Sequence, residues 1–144
     1  MTRDERLKTA AQCYADGCTC AQAVFCAFLD EIHVAREDAL RLMEGYGGGF
    51  GGAQEVCGAL SAATAVISYC TSNGKPGAQS NRQEVYRRVR QAAELFRREY
   101  GGVTCRDVLR GQPPQALRCG LKVKDAVLIT HQVIGGQTCT RCAP

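Results

Sequence analysis

Apolar residues recur along the chain at three- and four-residue intervals, and the runs are separated by stretches rich in Gly, Pro, Ser and Asn. That spacing marks amphipathic helices, and the separators mark turns. The first predicted helix runs from about Arg3 to Ala15, with Thr2 and Glu5 in capping-box spacing, and Gly17 stops it. The second covers about Thr19 to Glu31, with Ala21, Phe25, Phe28 and Ile32 on one stripe, and the third about Arg36 to Glu44. The fourth spans about Glu55 to Ser72, with Val56, Leu60, Ala63, Ile67 and Cys70 as its stripe.

TSNGKPG reads as a turn. The fifth helix runs from about Asn81 to Tyr100, opened by Ser80 and Gln83 in capping-box spacing, with Val85, Val89, Ala92, Phe96 and Tyr100 as its buried face. A short helix over about Arg106 to Leu109 and a long one over about Leu121 to Ile134 complete the series. Strand signals are almost absent, and there is no repeat or low-complexity linker. The fold expected is all-α: a single-domain helical bundle of about five to six helices over residues 1–136. A C-terminal tail over residues 137–144 carries Cys139-x-x-Cys142.

A chain of 144 residues has room for one real core. The N-terminus is polar and charged, and the longest apolar run, Val56 to Ile67, is too short and interrupted for a bilayer. No membrane insertion is therefore expected, and the localisation expected is cytoplasmic. The net charge of +4 is mild, and 6% aromatics without Trp offer few platforms for bases. The arginines of the fifth helix alternate with Glu84, Glu94 and Glu99, with Glu84–Arg88 and Glu94–Arg98 four apart. This is a solvated face rather than a nucleic-acid stripe.

Between the third and fourth helices lies Gly45-Tyr46-Gly47-Gly48-Gly49-Phe50-Gly51-Gly52, in which six of eight residues are glycine. Gly47, Gly49 and Gly52 fit G-x-G-x-x-G. The segment follows a helix rather than a strand, however, and Ser72 stands where the acidic partner of a dinucleotide site belongs. No Lys-Ser or Lys-Thr follows, so a phosphate loop is excluded too. A bound group at the following Cys57 is the other reason to bring bare backbone close.

Ten cysteines are the outlier. Without an export signal, metal binding or redox chemistry is favoured over a disulfide scaffold. Only His33 and His131 are available as imidazoles, and neither is placed as a ligand, so a metal site would be built of sulfur. Cys20, Cys57, Cys105 and Cys119 fall at or near predicted helix starts, where free N–H groups and the positive dipole end favour thiolate. Up-and-down alternation of the helices brings these four starts to one end of the bundle. Gly51 and Gly52, next to Cys57, are expected to lay their backbone against whatever the sulfurs hold. Cys26 and Cys70, within helices, read as small buried hydrophobes. Cys13 and Cys18 belong near the four-cysteine end, as supplementary ligands or a resolving thiol. No Ser-His-Asp triad, Cys-His pair or carboxylate pair is evident.

The blocks TCAQAV from Thr19, GGGFGG, CGALSA from Cys57 and TCRDVL from Thr104, with Cys119 beyond, resemble the small redox-active proteins named for their C_GCAxxG_C_C pattern. The likeness covers nearly the whole chain, and the defining cysteines map onto Cys20, Cys57, Cys105 and Cys119. One departure is Ala62, where the pattern's second glycine belongs. That family resembles a domain of the split-Soret cytochromes, which carries an iron–sulfur centre; their haem-attachment motifs are absent here.

The resemblance and the sulfur chemistry together imply a redox module holding a [2Fe–2S] or [4Fe–4S] cluster. It would transfer electrons to a redox protein partner without turning over a substrate of its own. Zinc and Cu(I) suit the same four sulfurs. A thiol–disulfide oxidoreductase or sensor, and a cysteine-rich metal-binding protein, are the alternatives. No nucleic acid is expected as partner, and a homodimer stays open.

Overall fold

The structure is a computed structural model that describes residues 1–110 and 115–135, with the side chains of all of these except 115–118. The CxxC cysteines Cys139 and Cys142 lie outside the described residues. Among the described residues there are eight helices: α1 (Arg3–Ala15), α2 (Cys20–Cys26), α3 (Leu29–Ile32), α4 (Arg36–Glu44), α5 (Gly58–Thr71), α6 (Gln79–Tyr100), α7 (Cys105–Leu109) and α8 (Gln115–Ile134). Among the described residues the one β feature is an isolated antiparallel bridge, Val56 to Thr104. No described helix is long and apolar enough to cross a membrane.

The helix α5 is the centre of the bundle, packed by α2, α6 and α8, while α1 lies over α2 and α8, and α4 rests on α2. Its composition explains the position. Ala59, Ala62 and Ala63 let neighbours approach closely, and Leu60, Val66 and Ile67 fill the space between them, all buried. Phe28, Ile32, Phe96, Val108 and Val127 close the core from the other helices. The stripe predicted for the second helix is buried throughout.

The count of eight exceeds the expected five to six: seven segments read as helical in the sequence, and the second of them is two helices. Arg6 is the cause. Its side chain is 1% exposed, stacks on the Phe28 ring at 4.5 Å and donates from Nη1 to the Ala27 carbonyl at 2.9 Å. The chain around that carbonyl tightens into three-residue bonds, Ala27 N–H to Val24 and Phe28 N–H to Phe25. Asp30 and Glu31 then turn their carboxylates to the same guanidinium, at 2.6 and 2.7 Å.

Two helix starts also differ from expectation. The capping box predicted at Ser80 and Gln83 does not form: α6 begins earlier, with Ala78 as an N-cap that makes no side-chain bond. Asn81 ties the turn down instead, accepting from Asn73 N–H at 2.8 Å and donating to the Thr71 carbonyl at 3.1 Å. The last helix starts at Gln115, so Cys119 lies inside α8 rather than opening it.

Candidate functional site

Each motif cysteine is placed by a local device. Thr19 caps α2: its hydroxyl accepts from Gln22 N–H while the Gln22 side chain accepts from Thr19 N–H, a capping box that fixes Cys20 as the first helical residue. Gln22 also donates to the Leu40 carbonyl at 2.8 Å, which ties α2 to α4. Cys57 is the N-cap of α5 rather than a first-turn residue. Thr104 caps α7 through Asp107 N–H, and Cys105 is its first residue.

The strands of chain entering α5 and α7 are laced together. Cys57 N–H donates to Val103 O at 2.8 Å, Cys105 N–H to Glu55 O at 2.6 Å and Arg106 N–H to Gln54 O at 3.1 Å. These bonds flank the Val56–Thr104 bridge and lock Cys57 beside Cys105. The glycine loop folds onto the same segment, since Gln54 and Glu55 donate to the carbonyls of Gly48 and Gly49.

The four thiols converge. Cys20 feels the charge of Cys119, Cys57 that of Cys20, and Cys105 that of both Cys119 and Cys20. No disulfide joins any of the eight described cysteines. Burial dominates the acidity of three of the motif thiols: it pushes Cys20 and Cys105 up from the ordinary thiol value and Cys57 up to about 11. Backbone donors oppose it. The N–H groups of Gly48, Ala21 and Ala59 face the Cys20 sulfur. Those of Ala59 and Leu60, free at the start of α5, would favour a Cys57 thiolate, although the protonated thiol makes no cap bond there. Among the described residues no group of three or more His, Cys, Asp or Glu side chains is arranged to hold a metal ion. The sulfurs stand within one another's field without closing to a mononuclear cage.

The glycine loop reaches the thiols at Gly49, and Gly51 and Gly52 face open space. Both have the left-handed backbone that favours glycine, at φ +64° and +79°, yet a Cβ on either would meet nothing within 4 Å. Close approach occurs at Gly49, where a Cβ would sit 2.8 Å from the Cys105 Cβ. It occurs again at Gly58, where a Cβ would sit 2.9 Å from the Cys20 sulfur and 2.5 Å from the Tyr46 carbonyl. An added side chain would therefore crowd the thiols themselves at Gly49 and Gly58.

Two residues at this end escaped the sequence reading. Lys122 is 2% exposed, and its charge favours the thiolates of Cys57 and Cys105. A lysine on the buried stripe Lys122, Ala126, Thr130 of α8 was the available signal. Tyr14, from α1, is hydrogen-bonded to Cys119; burial first, then the charge of that thiol, pushes the phenol up to about 12. Away from the centre, Cys70 packs at the core edge, and the sulfurs of Cys13, Cys18 and Cys26 gather separately near Arg36. His33 ends α3 in a left-handed conformation, and the buried Nδ1 of His131 has no hydrogen-bond partner among the described residues.

A family model described as "Putative redox-active protein (C_GCAxxG_C_C)" matches residues 18–133. No curated protein matches the chain, and no solved structure does.

Proposed function

The chain belongs to the C_GCAxxG_C_C family of redox-active proteins, and on that premise we propose that Cys20, Cys57, Cys105 and Cys119 together ligate an iron–sulfur cluster. The observation that carries the reading is the convergence of four thiols from four separate segments, with main-chain donors turned toward two of them. The donor set fits such a group. Four sulfurs are what a cluster takes from protein, and N–H groups such as that of Gly48 are the partners that cluster sulfur accepts. Gly49 and Gly58 keep Cβ atoms away from Cys105 and Cys20. Sulfurs that do not close around a single ion suit a polynuclear centre better than zinc in Cys₄ or Cu(I).

An iron–sulfur cluster supplies one-electron transfer. The chain would hold it away from water and set its potential through the buried Lys122 cation and the N–H donors. The function is then electron transfer to a redox protein partner, in the cytoplasm, where cysteines stay reduced. Ligation must displace four protons, three of them from thiols whose burial holds them on. Purification without oxygen, followed by visible absorption and assay of iron and acid-labile sulfide, is the test. A brown protein with iron and sulfide in equal amounts, lost on changing any of the four cysteines to serine, is expected. A colourless protein with zinc or copper, or one without metal, would overturn the cluster.

A further inference from the structure

We propose that Cys13 and Cys18 are a second redox site. They form a reversible disulfide by exchange with a small carboxylate-bearing disulfide, independently of the four-cysteine centre.

The geometry comes from how α1 ends. Gly17 takes φ +95°, Gly17 N–H donates to Tyr14 O at 3.2 Å, and Cys18 N–H donates to Cys13 O at 3.0 Å. These two bonds together make a Schellman motif, whose outer bond joins the third-last helical residue to the second residue past the cap. Side chains at those two positions meet, and they are ordinarily an apolar pair. Here both are cysteine. A direct backbone hydrogen bond between them holds their Cα atoms at about the 4.4–6.8 Å that a disulfide spans. The two thiols interact with each other in the folded chain. Closing the bridge needs a side-chain rotation and no movement of a helix.

The surroundings supply the chemistry. Cys13 is 1% exposed and Cys18 partly exposed, so Cys18 is the thiol a reagent reaches and Cys13 the one that resolves. Arg36 donates from Nη2 toward the Cys13 sulfur at 3.9 Å. An open cleft of about 440 Å³ beside Cys13 is lined by Lys8, Thr9, Gln12 and Arg36. The sulfur that lines the cleft is that of Cys13; Lys8 and Arg36 there suit the carboxylates of a small disulfide, and the more exposed Cys18, in contact with Cys13, is the sulfur left open to its S–S bond. Cys26 is buried and also interacts with Cys13, which makes it the competing partner. Cys13 lies before the first residue that the family match covers.

The exchange balances. Cys18 gives up its proton and attacks one sulfur of the small disulfide; that S–S bond breaks, and the departing thiolate takes a proton. Cys13 then attacks the Cys18 sulfur and expels the second small thiol, which leaves with the Cys13 proton. Two electrons pass from the pair to the reagent, giving one protein disulfide and two free thiols.

The experiment treats the full chain with glutathione disulfide, blocks free thiols by alkylation and cleaves before aspartate. Fragment 4–15 then carries Cys13, and fragment 16–29 carries Cys18, Cys20 and Cys26. The expected product is a 4–15/16–29 pair joined until dithiothreitol is added. In Cys26→Ala the joined product persists. In Cys18→Ala it falls at least tenfold, and Cys13 is recovered alkylated. Cys18→Ser, which keeps a small polar group at the cap, gives the same loss and guards against misfolding. A joined product that survives Cys18→Ala would overturn the proposal in favour of Cys26 or Cys20. So would wild-type protein that yields no joined product.

Discussion

Replacing Gly58 with alanine puts one methyl group where α5, the glycine loop and the Cys20 sulfur meet. The added Cβ would lie 2.5 Å from the Tyr46 carbonyl oxygen and 2.9 Å from Cys20 Sγ. The oxygen is backbone and accepts from Phe50 N–H within the loop, so it cannot swing aside. Relief must come from α5 backing away or from the sulfur moving. Overpacking of this kind costs about 1–3 kcal/mol. Alanine recovers part of it through helix propensity, up to about 1 kcal/mol in a helix interior and less at a first helical position. The net loss should be about 1–2 kcal/mol, a melting shift of several degrees in the metal-free protein.

Gly51→Ala and Gly52→Ala are the controls. Their positive φ costs on the order of 1–2 kcal/mol of strain, but their Cβ atoms meet nothing. All three variants should therefore melt lower by similar amounts, while Gly58→Ala alone displaces a ligand sulfur. The assay is iron and sulfide per chain beside the melting temperature. Gly58→Ala should lose at least half its iron, and the two controls should keep theirs. A fully loaded Gly58→Ala with an unaltered visible spectrum, or equal iron loss in the controls, would refute the placement of Cys20.

Lys122→Met should leave cluster loading intact and make the reduction potential more negative by on the order of tens of millivolts, because a buried cation beside Cys57 and Cys105 favours the more negative, reduced form. An unchanged potential in a redox titration would count against Lys122 as the source of the field. In the metal-free protein the folded Cys57 holds its proton up to about 11, against an ordinary 9.0. A raised folded value means that this stabilisation is complete below pH 9 and lost as pH rises through 11, about 2–3 kcal/mol in all. Chemical denaturation across that window checks it, and Cys57→Ser should flatten the curve. Arg6→Met should cost about 2–4 kcal/mol, below the top of the range for a broken buried pair because Asp30 keeps 31% side-chain exposure. A loss under half a kilocalorie per mole would show the Arg6 cluster to be ornamental to stability.

How far the sequence carried is seen best in pairs of neighbours. The first and third predicted helices, Arg3–Ala15 and Arg36–Glu44, match the structure residue for residue. For the first, the signals that bound it are local: Thr2 with Glu5 at the start and Gly17 past the end. The helix after α1 breaks because a guanidinium from α1, more than twenty residues back in sequence, takes the Ala27 carbonyl. Nothing in the local pattern around Ala27 announces that. The glycine loop shows the same limit. That a Gly-rich segment would touch the thiols followed from composition. Which glycines do so depends on what lies across from each: Cys105 faces Gly49, Cys20 faces Gly58, and open space faces Gly51 and Gly52. Cys119 was placed at a helix start because it follows the proline-containing loop, whereas α8 begins four residues earlier, at Gln115.

The cysteines themselves divide by which end of a helix they occupy. Cys20, Cys57 and Cys105 sit at starts, where free N–H groups and the positive dipole end favour thiolate, the form a metal requires. Cys13 and Cys18 sit at the end of α1, among its last carbonyls, where a second negative charge is disfavoured. A disulfide carries no charge, so closing that pair removes the conflict, while the Arg36 guanidinium reaches Cys13 only at 3.9 Å. Helix polarity thus sorts sulfurs of one chain into a set suited to ligation and a pair suited to bridging. The exchange of ends supplies its own check: glutathione disulfide should join Cys13 to Cys18 in protein whose visible spectrum stays unchanged, and bleaching in step with that bridge would show that the two sets are one.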